Sequence, residues 1–109
     1  MESPEPTGLE LPKEEKKKLL REALGVAVTI QVGKLGITPG LVSELKKQLE
    51  KRGLVKVRIL KNYLQDRDRF QVAQGLAAKA GAVLVEVKGM VATYYKHNIR
   101  NSSEENNKR

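Results

Sequence analysis

Four residues near the middle of the chain, Gly33-Lys34-Leu35-Gly36, followed by Thr38 and Pro39, have the makings of an anion site. A helix N-terminus carries unpaired amides and a partial positive charge, so a phosphate settles there when the backbone can come close. Glycines at 33 and 36 lack a β-carbon and allow positive φ, and Lys34 between them adds a mobile cation. Two glycines at this spacing also make an ordinary strand-to-helix turn, so the spacing alone leaves both roles open. No Gly-x-x-x-x-Gly-Lys-Ser/Thr occurs, and Gly40 does not complete a dinucleotide fingerprint.

The remaining reactive side chains form no constellation. His97 has no Ser, Cys or carboxylate arrangement to work with, so no catalytic residue is assigned. Asp66 and Asp68 resemble a metal pair, but at the start of a helix they are better suited to offsetting its dipole. With no Cys and one His, neither a disulfide framework nor a thiolate or histidine metal site can form, and no metal or cofactor is expected.

Charge points outward. Twenty-one Lys and Arg against thirteen Asp and Glu give a net +8, the balance of a protein that meets nucleic acid or an anionic membrane. From Lys34 to Lys61 there are eight basic residues against Glu44 and Glu50. Lys46, Lys47, Lys56 and Arg58 stand out among them, while Lys16 to Lys18 cover most of one helical turn and suit a solvated face. Asn and Gln, which read base edges, are sparse in this segment, so strong sequence specificity is not expected.

These residues need elements to hold them. A chain of 109 residues suits one domain with one core, and with a single Phe and no Trp that core must be largely aliphatic. Residues 1–10 read as a flexible leader, 98–109 as a disordered polar tail, and 11–97 as the folded part. No apolar run is long enough to span a membrane and no secretion signal is visible, which favours a soluble cytoplasmic protein without a membrane partner. Helical spacing predicts a first helix over 12–24, closed by Gly25. Alternation predicts a strand over 26–32. Thr38 as N-cap and Pro39 as first residue start a second helix that runs to about Arg52 before Gly53. Val55, Val57 and Ile59 mark a second strand, and Asp66 and Asp68 lead into a third helix ending at Gly81. Gly75 inside that helix suggests a close packing contact. A third strand over 83–87 turns at Lys88-Gly89 into a fourth over 90–95, where Tyr94 and Tyr95 point to opposite faces, one to the core and one outward where it could stack on a base.

The order α-β-α-β-α-β-β implies a two-layer α/β sandwich with a mixed four-stranded sheet. The two helical crossovers favour parallel pairing and the last two strands an antiparallel hairpin. One sheet face should lie under helices. The other, carrying Thr29, Gln31, Lys56 and Arg58, should be partly open.

VGKLGITPGLVSELKKQLEKRGLVKVRIL, with LPKEEKKKLLREAL before it and AGAVLVEVKGMVATYY after it, resembles the CRM domain (chloroplast RNA splicing and ribosome maturation) in its single-domain YhbY form. The resemblance covers residues 11 to 96. It implies a fold similar to the C-terminal domain of translation initiation factor three. It also implies RNA binding, with stand-alone members on precursors of the large ribosomal subunit and plant members in group II intron splicing. The family's loop function falls on Gly33, Lys34, Leu35 and Gly36, supported by adjoining basic residues. Lys61 to Gln65 departs from the family's usual connection between strand two and helix three, so no contact is carried over to Tyr63.

The expectation is therefore an RNA-binding protein without chemistry of its own or a small-molecule substrate, gripping large-subunit ribosomal RNA or pre-ribosomal particles through Gly33 to Gly36, Thr38, Lys46, Lys47, Lys56 and Arg58. The alternative is an architectural protein for double-stranded DNA. If the loop is a phosphate cradle, Gly36→Asp should weaken RNA binding well beyond its effect on stability.

Overall fold

The apolar residues at every second position of three strands meet the apolar faces of two helices. The computed structural model describes residues 11–96; the expectations for the leader, for His97 and for the tail lie outside the described residues. The elements are α1 (Lys13–Ala23), β1 (Val28–Val32), α2 (Pro39–Arg52), β2 (Leu54–Ile59), α3 (Lys61–Leu64), α4 (Arg69–Ala80), β3 (Val83–Lys88) and β4 (Val91–Tyr95). The expected order holds, with one added turn of helix, α3, in the segment that departs from the family pattern.

Local signals act where their chemistry predicts. Thr38 Oγ1 accepts from Leu41 N at 3.1 Å, and Pro39 occupies the first turn of α2, where its missing N–H costs nothing. Asp68 Oδ1 accepts from Phe70 N at 2.8 Å and caps α4, the dipole role anticipated for it.

The sheet order is β1-β2-β4-β3, with β1 and β2 parallel and the other two pairs antiparallel. Of the two helical crossovers, only the first therefore joins strands that pair directly. β3 runs parallel to β2, but β4 lies between them. Burial explains the insertion: Ala92, Thr93 and Tyr94 of β4 are all fully buried, whereas β3 ends in exposed Lys88 and carries half-buried Glu86, which suits an edge.

One sheet face carries Ile30, Val32, Val55, Val57, Ile59 and Tyr94 against Leu45 and Leu49 of α2 and Ala73 and Leu76 of α4. Each large aliphatic side chain removed from water there contributes about 1.5–3 kcal/mol. The Tyr94 hydroxyl donates to the Ala73 carbonyl at 2.8 Å, which ties the central strand to α4. Burial pushes its phenol pKa well above the ordinary value, so the group stays a neutral donor.

The second face is partly open, as expected, because α1 covers one end of it. Leu19 and Ala23 pack there on Leu54 and Val85, with Tyr95 half-buried beside them. Neither Tyr94 nor Tyr95 is thus a free stacking platform. Thr29 also leaves the open face. A bulge between Val28 and Ile30 turns its hydroxyl to α2, where it donates to Gln48 Oε1 at 2.5 Å.

Gly75 makes no close contact. It lies on the exposed side of α4, and a β-carbon built on it would meet nothing within 4 Å. Gly75→Ala should therefore raise stability by roughly 1 kcal/mol through helix propensity, read as a higher urea midpoint at unchanged slope. A lower midpoint would mean that the glycine serves packing after all.

Candidate nucleic-acid interface

The segment between β1 and α2 begins with a four-residue turn closed by a hydrogen bond from Gly36 N to Gly33 O at 2.8 Å. Lys34 and Leu35 occupy its two central positions and project into solvent. Leu35 is 86% exposed. The two glycines are not equivalent. Gly33 is outside the left-handed region, and a β-carbon on it would sit 3.7 Å from Leu60 Cδ1, an ordinary contact. Gly36 has φ 74° and is buried against Tyr63, whose Cε1 would stand 2.6 Å from any β-carbon at that position. Only Gly36 is demanded by its backbone and surroundings.

The turn spends several of the amides a phosphate could have used. Gly36 N is bonded to Gly33 O, Leu41 N to the Thr38 hydroxyl, Val42 N to Thr38 O, and Pro39 has no N–H. Thr38 is therefore a cap for α2. What the loop presents outward is the Lys34 ammonium beside the apolar Leu35 side chain.

The other basic residues fall on two sides of the sheet. Lys46 and Lys47 are exposed on α2, about 12–14 Å along the helix from Thr38 at roughly 1.5 Å per residue. Val55, Val57 and Ile59 face α2, so alternation sends half-buried Lys56 and exposed Arg58 to the opposite face, where Arg58 pairs across with Gln31. The predicted residues thus form one group of loop and α2 cations and a second group, Lys56 and Arg58, on the opposite sheet face, where alternation had placed them.

Tyr63 was set aside on sequence grounds, yet it holds the loop. The Arg67 guanidinium carbon lies 4.3 Å from the centroid of the Tyr63 ring, and Arg67 Nη1 donates to the Tyr63 carbonyl at 2.5 Å. Arg67, Tyr63 and Gly36 form a stack that links the start of α4 to the exposed turn. No periodicity could announce it, because its members come from three separate segments; the only signal was the unusual composition of Lys61 to Gln65.

Among the described residues, no three His, Asp or Glu side chains come together to hold a metal ion, and no helix is long and apolar enough to cross a membrane.

Fold and site together define a small, strongly basic α/β domain that presents a glycine-supported turn beside a cationic helix. The CRS1 / YhbY (CRM) domain model matches residues 11–96, and the chain belongs to that family. Among curated proteins, it is 35% identical over 81 residues to "Probable RNA-binding protein MJ0652" of Methanocaldococcus jannaschii, a match that covers 73% of this chain and 60% of the relative. The chain thus spans less than two thirds of that archaeal protein. It is 30% identical over 91 residues to "Probable RNA-binding protein YqeI" of Bacillus subtilis, covering 84% of this chain and 93% of the relative. The solution structure of SAV1595 from Staphylococcus aureus superimposes with a TM-score of 0.66 at 28% identity, covering 81% of this chain and 90% of that one.

The Tyr63 contact changes what Gly36→Asp can report. Any side chain at 36 meets the ring and an unfavourable φ before it meets a ligand, so loss of binding in that variant would be mixed with loss of fold. Gly36→Ala should cost about 2 kcal/mol in urea unfolding, and about 1 kcal/mol in a Tyr63→Ala background where only the φ penalty remains. Equal costs in both backgrounds would dissociate the glycine from the ring.

Proposed function

We propose that the chain binds structured RNA through the Lys34-Leu35 tip and the exposed cations of α2, and does no chemistry of its own. The observation that carries this reading is the tip itself, an exposed lysine and leucine on a turn fixed from behind by the packing of Gly36 on Tyr63. A mobile surface loop has no need of such support; a contact that must match a phosphate path gains from it. The net +8 supplies the long-range attraction, and the relatives' names point to RNA as the polyanion. Lys56 and Arg58, on the far face, form a secondary contact region that a folded RNA reaches by wrapping.

Large-subunit ribosomal RNA, in free or pre-ribosomal form in the cytoplasm, is the target we assign. A small domain with few base-edge readers suits a partner recognised by shape and backbone. The role is that of an assembly factor, bound transiently and released.

Crosslinking and sequencing of bound nucleic acid in cells, with Lys34→Glu as comparison, tests the target. Reads concentrated on large-subunit ribosomal RNA and depleted in the variant are expected; reads spread over chromosomal DNA would favour the architectural alternative. In solution, Lys34→Ala should weaken RNA binding severalfold at unchanged stability and make the slope of log affinity against log salt shallower by about 1. An unchanged slope would remove Lys34 from the phosphate contacts.

A further inference from the structure

A cleft of about 620 Å³ opens between α3, the start of α4 and Met90 before β4. Its lining includes Lys61, Arg67, Arg69 and Phe70, with Asp68 as the one carboxylate. That carboxylate is engaged in capping α4 through Phe70 N. Three cations therefore face one committed anion. Phe70 is 50% exposed, one of three large apolar side chains left in solvent among the described residues, and the only aromatic one. The volume falls within the roughly 300–1,000 Å³ typical of small-ligand sites.

An exposed phenyl ring among three cations is poorly matched to an apolar protein partner, because docking one would strip water from the charges around it. It is well matched to a nucleotide. A base offers a flat face for the ring, while its flanking phosphates meet Lys61 and Arg69. Arg67 is already oriented by its stack on Tyr63 and its bond to the Tyr63 carbonyl, and Tyr63 is the support of Gly36. One residue of the cleft wall, Arg67, is thus linked through Tyr63 to the exposed turn.

We infer that this cleft receives one unpaired nucleotide of the bound RNA, its base stacked on Phe70 and its phosphates held by Lys61, Arg67 and Arg69. The inference rests on the RNA-binding reading and adds to it a preference for a bulged or looped base next to the helical segment gripped by Lys34 and α2. Of the two tyrosines on β4, Tyr94 is buried in the core and Tyr95 is half-buried beside α1, whereas α4 supplies a more exposed ring.

The probe is a short RNA hairpin carrying a one-nucleotide bulge, compared with the same hairpin fully paired and with the bulged base removed to leave an abasic site. Phe70→Ala should weaken binding of the bulged hairpin about tenfold, within the range for losing one base stack, and leave the paired hairpin unchanged. Phe70→Tyr should restore the affinity, and Phe70→Ala should no longer distinguish the bulged from the abasic probe. Because Phe70 is exposed, circular dichroism should show the fold intact in both variants. If Lys34→Glu weakens binding to all three hairpins while Phe70→Ala matches the unsubstituted protein on each, the nucleotide pocket is overturned and the RNA-binding reading stands. If the unsubstituted protein binds none of them, both fall.

Discussion

The insertion of β4 between β2 and β3, sealed by Tyr94, is the constraint on which the rest of the structure depends. Tyr94 is the largest fully buried side chain, and its hydroxyl can be buried only because the Ala73 carbonyl accepts its hydrogen. That bond fixes α4 across the central strands. Once α4 is placed, its capped start brings Arg67, Arg69 and Phe70 to the same end of the molecule as the turn after β1. The placement of these side chains is thus set by core packing, with the loops built on top of it.

The second constraint is local. Gly36 sits where φ is positive and where a tyrosine ring leaves no room for a side chain, so the turn is held from behind while Lys34 and Leu35 face out. The contribution of the glycines differs from that of a row of open amides at a helix N-terminus. Thr38 and the turn's own hydrogen bond already satisfy several of those amides. The turn is a mount, braced by Tyr63, for one cation and one apolar side chain.

Much of the fold was legible because its signals are local. Alternation in Val55-Lys56-Val57-Arg58-Ile59, the Thr38-Pro39 start and the Asp68 cap each report on a few neighbouring residues, and every element except the added α3 lies within a residue or two of its expected bounds. Strand order was not legible in this way. Crossover rules concern direction, and which strand takes the centre depends on total burial, which puts Ala92-Thr93-Tyr94 inside and leaves Glu86 and Lys88 toward the rim. The bulge at Thr29 had the same origin: a one-residue slip in pairing moved a side chain off its face. Gly75 misled because a helix interior tolerates an exposed glycine at a modest energetic cost. For the site, the turn and the charges could be named from the sequence, whereas the support by Tyr63 and Arg67 and the exposure of Phe70 exist only in three dimensions.

In the proposed function, RNA is gripped on the side of the molecule that carries the turn, α2 and the start of α4. Titrating isotope-labelled protein with a structured RNA and mapping amide shift changes by NMR tests it most directly. The account predicts the largest changes at Lys34, Leu35, Lys46, Lys47 and the start of α4, with smaller ones at Lys56 and Arg58 and none along α1. Changes confined to Lys56, Arg58 and Gln31, with the turn and α2 unmoved, would contradict it and place the RNA on the open sheet face instead.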